Sequence, residues 1–137
     1  MAAELLKWKE VKEGKKLNIY IAHNFEARLW LRENIVPICE SNGHWVTSRW
    51  IKDDIHVELS RQFCALQDLD DIDRCSTLIL FVDQFGDRAG KGKWFEFGYA
   101  LRAGKRIILI GESSSCVFTN LPNVMWAKNI EEAMKLV

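Results

Sequence analysis

Charge of one sign is what this chain lacks. Its 19 Lys and Arg balance its 19 Asp and Glu, and the formal net charge is zero. A general nucleic-acid binder carries a basic excess, so a polymer partner of that kind is not expected. Long hydrophobic runs are also missing. None approaches the roughly 20 residues of a membrane span, and the opening Met1-Ala2-Ala3-Glu4-Leu5-Leu6-Lys7 has no signal-peptide core. The expectation is a soluble, cytoplasmic protein with no membrane partner. Cys39, Cys64, Cys75 and Cys116 form no CxxC pair, and His23, His44 and His56 have no ligand spacing. Buried reduced thiols are expected in place of a zinc site, and no metal or other cofactor is expected. Repeats, low-complexity stretches and a GxxxxGKS phosphate loop are absent too.

What is present suits one domain. The chain has 137 residues, 48% of them apolar, enough for a single packed core. Residues 1–16 are strongly charged and read as a leader, and 17–137 as the domain. Residues 17–23 form a short apolar strand. Residues 26–41 carry apolar side chains near helical spacing, and Pro37 should kink or divide that helix. A strand is expected at 44–48, then a helix over 53–74. Asp53 and Asp54 would serve as its N-terminal acids, and Val57, Phe63, Leu66, Leu69 and Ile72 as its apolar stripe. Residues 77–82 form a continuous apolar run, as in a strand buried on both faces. A polar loop follows to Lys93, then a helix over 94–103 ended by Gly104. A buried strand at 106–111, a short strand at 123–126 and a helix at 129–136 complete the chain. Strands alternating with helices predict a three-layer α/β fold of the flavodoxin/Rossmann kind. Its sheet of five strands would be mostly parallel, with helices on both faces. Ligands of such sheets bind beyond the carboxyl ends of the strands.

Several side chains are candidates for chemistry. Glu96 sits among Trp94, Phe95, Phe97 and Tyr99, near the start of a helix that follows Gly90 and Gly92. It is either a helix-start acid facing water or a functional anion in a cleft. Asp68 and Asp71 share one side of the preceding long helix, beside its core face. They read as a solvated acidic helix end or as part of a site. Asp83 ends the third strand, where side chains enter the crevice, or caps a turn. Two carboxylates about 5 Å apart suit retaining cleavage of a glycosidic bond. His23 lines the pocket or the edge of the core, and Trp50 stacks on a base or packs in the interior.

The frame Ile19-Tyr20-Ile21-Ala22-His23, then Gln67-Asp68-Leu69-Asp70-Asp71-Ile72, then Phe95-Glu96-Phe97-Gly98-Tyr99-Ala100-Leu101-Arg102-Ala103-Gly104-Lys105 resembles the nucleoside 2-deoxyribosyltransferase family. That family includes the 2′-deoxynucleoside 5′-monophosphate N-glycosidases. The resemblance runs over residues 17–124. It implies that Glu96 attacks the anomeric carbon, that Tyr20 orients it, and that Asp68 lies on the path of the base or its proton. It implies a small nucleoside or nucleotide as partner and a homodimer or higher homo-oligomer, which six tryptophans in a small chain also suggest. In place of the family's phosphate-gripping loop stand His23, Asn24, Glu26 and Arg28. The segment 88–93, with Gly90, Gly92 and Lys93, could hold phosphate through backbone N–H groups and lysine charge, or be a solvated loop. Asn120 and Asn123 are present, without a clear match to the family's carboxamides. The alternative is a module that binds a nucleotide in the same crevice without turnover.

Overall fold

A computed structural model describes residues 17–54, 59–83 and 90–137. The leader 1–16, His56, Val57 and the loop positions 84–89, Arg88 among them, lie outside the described residues. Five strands form one sheet: β1 (Asn18–Ala22), β2 (Trp45–Val46), β3 (Thr77–Phe81), β4 (Arg106–Ile110) and β5 (Val124–Ala127). Their order is β2-β1-β3-β4-β5, and every neighbouring pair is parallel. The central pairing sets Tyr20 beside Leu78 and Ile79 beside Ile108. All five residues of both β1 and β3 are buried. That explains the unbroken apolar runs, since a parallel sheet is covered on both faces. Each such isoleucine or leucine contributes about 1.5–3 kcal/mol of burial against the cost of ordering its backbone.

Two layers of helix cover the sheet. On one side lie α1 (Arg28–Asn34), α2 (Val36–Ser41) and the C-terminal α6 (Ile130–Leu136). On the other α4 (Arg61–Arg74) packs against α5 (Lys91–Arg102), with α3 (Arg49–Lys52) bridging α1 and α4. Pro37 stands in the first turn of α2, so it divides the expected helix at Ile35. Gly104, at φ 78°, turns the chain after α5 in a conformation other residues resist. No helix among the described residues is long and apolar enough to cross a membrane.

Four expectations need correction. The second strand is two residues long, and the chain then coils into α3, too short to show a period. Asp53 is extended and does not start the long helix. Ser60 does, its side chain accepting the Phe63 N–H at 3.2 Å, while Asp54 pairs with Arg32 at 2.8 Å. The apolar stripe of α4 does not all face the core: Ile72 is buried, but Phe63 is 53% and Leu66 60% exposed. Finally, α5 begins three residues early, at Lys91.

Candidate active site

Side chains alternate along a strand, so Tyr20 points from β1 toward the face covered by α4 and α5. It is fully buried, and its hydroxyl donates to Glu96 Oε2. Glu96 lies in the second turn of α5, one turn after the buried Lys93 and beside Phe97. That position lies past the free N–H groups of the helix start, so the expected helix-start stabilisation is not what holds its charge. Asp68, Cys64, Ala65 and Leu69 recur at helical spacing along the middle of α4 and line the same hollow. Glu96 and Asp68 thus face one cavity of about 960 Å³, open beyond the carboxyl ends of β1 and β3. Phe25, Trp50, Leu59 and Phe95 supply its apolar wall, and Glu26, Arg61 and Lys91 add charge. This is space enough for a nucleotide-sized ligand.

The carboxylates set the electrostatics. Burial pushes the Glu96 carboxyl up to about 8, and the charges of Asp68 and Asp71 add to that. The Tyr20 hydroxyl acts the other way, because a donor stabilises the ionised form. Tyr20 itself is raised well above the usual phenol range by burial and by Glu96 and Asp68, so it stays protonated and donates. Burial and the neighbouring Lys93 lower His23 to about 4, so its ring is neutral at physiological pH. Its Nδ1 accepts the Asn24 N–H at 2.7 Å, leaving the ring proton on Nε2. The imidazole stacks on Phe81 at 5.0 Å and lines the cavity.

The structure brings Tyr20, Asp68, Glu96, His23, Asn24, Trp50, Gly90 and Gly92 to this cavity or directly behind it. Trp50 packs in the interior, as one of its two expected readings has it, and also reaches the cavity. It is 4% exposed and donates from Nε1 to the Ile21 carbonyl at 3.2 Å, and it also forms part of the wall. Gly90 is required by space: a Cβ there would stand 2.8 Å from Asn24 Oδ1 and 3.0 Å from Lys93 Cδ. Gly92 has open space around it.

Lys93 lines the cavity as well, with its ammonium engaged by protein oxygens, whereas Asp83 and Arg28 lie off the wall. Lys93 is 3% exposed, and its ammonium donates to four oxygens: Asn24 Oδ1 at 3.2 Å and the carbonyls of Phe81, Val82 and Asp83 at 2.9, 3.1 and 3.3 Å. Its three protons are committed to the strand end, so it staples the cavity floor and offers none to a phosphate. Asp83 is exposed and off the wall, giving its carbonyl to Lys93. Arg28 is also off the wall, its guanidinium 5.1 Å over the Phe25 ring. Asp71 is no solvated helix end but 1% exposed behind Glu96. Sequence reading missed Arg61, Cys64 and Ala65. Counting back from Asp68 by helical steps of three, four and seven reaches all of them.

No known family profile matches this chain, and no curated protein does. Among the solved structures that share its fold are two whose names give an activity. One is the Clostridium botulinum CMP N-glycosidase BcmB, with a TM-score of 0.61 and 22% identity, covering 87% of this chain and 96% of that one. The other is a 2-desoxiribosyltransferase from Leishmania mexicana, with a TM-score of 0.54 and 20% identity, covering 68% of this chain and 63% of that one. At these identities the likeness is one of fold, and it is the three-layer α/β fold that the sequence motifs imply.

Proposed function

We propose that this protein cleaves or transfers at the N-glycosidic bond of a nucleoside, deoxynucleoside or nucleoside 5′-monophosphate, through a covalent glycosyl-Glu96 intermediate. One observation carries the reading: a carboxylate at a cavity wall, held by a buried phenol, with a second carboxylate in the same wall. The names of the two fold neighbours, an N-glycosidase and a desoxiribosyltransferase, support it. In the first half-reaction ionised Glu96 attacks the anomeric carbon. The carbon–nitrogen bond breaks, its electron pair leaves with the base, and a proton drawn from solvent reaches the base along the side of Asp68. In the second, water or another base attacks the same carbon, its proton returns to solvent by the same side, and the Glu96 carboxylate departs. The negative field of Asp68 and Asp71, unfavourable to an empty ionised Glu96, favours the positive charge that develops on the sugar. Phe25, Trp50, Leu59 and Phe95 suit the flat face of a base. Arg61 and Lys91 suit a 5′-phosphate at the mouth.

Incubation with nucleosides and their monophosphates plus labelled adenine tests this. Exchange without net loss of nucleoside identifies a transferase, and steady base release a hydrolase. Neither, for any member of the panel, sinks the reading. Tyr20→Phe is expected to lower kcat about ten- to a hundredfold and to move the acid limb of kcat/KM about a pH unit higher. The sign follows from the hydroxyl favouring the ionised carboxylate: without it, Glu96 keeps its proton to higher pH. A limb that stays put contradicts the role given to Tyr20.

One observation favours a second reading. A Glu96 that holds its proton up to about pH 8 is poorly prepared for attack at neutrality, which suits capture of an intact nucleotide without turnover. Calorimetric binding with the ligand recovered whole would support that alternative.

Self-association belongs to the same proposal. Phe63, Leu66 and Phe95, at 53, 60 and 65% exposed, sit on the packed helices α4 and α5, and Phe95 also lines the cavity. Such a patch suits a second copy of this chain. Sedimentation should show a dimer or larger, and Leu66→Glu should shift it to monomer. A monomeric wild type refutes this part. A cytoplasmic setting suits the four free cysteines.

A further inference from the structure

We propose that the ion pair between Arg49 and Asp71 is a positioning pair for this reaction, locking the Trp50 wall of the cavity to the helix that carries Asp68 and setting the charge behind Glu96. The inference rests on Glu96 being the reacting carboxylate. Asp71 is 1% exposed and takes two bonds from one residue: the Arg49 backbone N–H at 2.9 Å and Nε at 2.7 Å. Thr47 Oγ1 donates to the Asp71 carbonyl at 2.9 Å. Arg49 Nη2 reaches on to Asp70 at 2.8 Å, and Arg74 Nε meets the same Asp70 carboxylate at 3.1 Å. The residues leaving β2 are thereby clamped to the last two turns of α4.

Both ends of that clamp abut the cavity. Trp50 directly follows Arg49, and Asp68 precedes Asp71 by one helical turn; both line the wall. A shift of the pair therefore moves two walls at once. A buried ion pair is weak evidence for stability, because an apolar pair of the same size is often as stable. Its presence against the candidate nucleophile calls for another reason.

Charge supplies one. Asp71 is faced by Arg49 from α3, by Asp68 from α4, by Glu96 from α5 and by Tyr20 from β1, while Asp70 shares the Arg49 guanidinium and Arg74 pairs with Asp70. Its negative charge raises both the Glu96 carboxyl and the Tyr20 phenol. Burial pushes Asp71 itself up to about 7, with the Arg49 N–H and guanidinium working against that. Arg49 thus decides how much negative charge stands behind Glu96.

The test follows the Glu96 carboxyl by carbon-13 NMR titration in the full chain, alongside the pH profile of base release. Asp71→Asn is expected to lower the Glu96 titration by about half a unit or more, and the acid limb of kcat/KM with it. Arg49→Lys keeps the charge and loses the two-point grip. It should leave the titration in place and cut kcat/KM about tenfold. An unmoved Glu96 titration in Asp71→Asn, with only the melting temperature lowered, overturns the charge role. Wild-type kcat/KM in Arg49→Lys overturns the locking role. Asp71→Ser, a smaller neutral replacement, stands in for the asparagine variant if that one does not fold. Glu96→Ala is run in parallel. Full activity there removes Glu96 as nucleophile, whereas the titration judges the Arg49–Asp71 pair separately.

Discussion

Glu96→Gln is expected to abolish base release and, at the same time, to make the protein more stable at neutral pH. Glutamine keeps an oxygen for the Tyr20 hydroxyl but cannot attack, so activity should fall at least a thousandfold, to the assay background. The stability change follows from proton linkage. The Glu96 carboxyl titrates near 8 in the folded chain, against an ordinary value of 4.5. Between those values the folded state holds a proton that the unfolded chain has lost. Its stabilising contribution is complete below about pH 4.5 and is lost as pH rises toward 8. By pH 7 the loss amounts to about 3 kcal/mol, which the neutral glutamine does not suffer. Urea unfolding of both proteins at pH 4 and pH 7 checks this. The two should be alike at pH 4, with the variant ahead at pH 7. A variant less stable than wild type at pH 7 would show that Glu96 is not the strained group proposed.

The second large effect is expected at Lys93. Lys93→Met keeps the volume of the stem and removes the ammonium, leaving Asn24 Oδ1 and the carbonyls of Phe81, Val82 and Asp83 without that donor. A buried group left unsatisfied costs about 1–3 kcal/mol, partly offset here because a charge no longer has to be desolvated. The net loss should be about 3 kcal/mol, or about 10 °C in melting temperature for a domain of this size. Activity should fall as well, since Lys93 stands one turn before Glu96 and fixes the start of α5 against the end of β3. Circular dichroism melting decides it: a midpoint within about 2 °C of wild type would mean that the four contacts contribute little. Weakened nucleotide binding with unchanged stability would instead restore Lys93 as a phosphate ligand.

These two residues also show where sequence reading ends. The sheet was legible because its strands are buried on both faces: the apolar runs at 77–82 and 106–111 leave little choice. The division at Pro37 and the turn at Gly104 were legible because those residues restrict or free the backbone by themselves. The four-residue helix at Arg49–Lys52 was not, since it is barely one turn long. Asp53-Asp54 imitates a helix start, yet Asp54 answers to Arg32, 22 positions away. The start of α5 was placed late because Lys91 and Gly92 look like loop, whereas the burial of Lys93 pulls that turn into the helix. At the site, the motifs nominate Glu96, Tyr20 and Asp68 but cannot bring them together. The bond between Tyr20 and Glu96 spans 76 positions and exists only once β1 and α5 have packed. A buried lysine and a solvated one are the same letter, which is why Lys93 reads as a phosphate ligand in the sequence and as a staple in the fold.

The division of labour along the chain has a last consequence. Glu96 and Asp68 ride on α5 and α4, the two longest helices among the described residues, which brace one another. Much of what surrounds them belongs to the connections between elements, at His23, Asn24, Leu59 and Gly90, or to the short 3-10 turn at Phe25–Ala27. Insertions and exchanges accumulate in connections far more readily than in packed helices. Under the proposed reaction, a lineage of such proteins can therefore change which molecule it accepts by trading these short segments, while the proposed reactive pair is inherited intact.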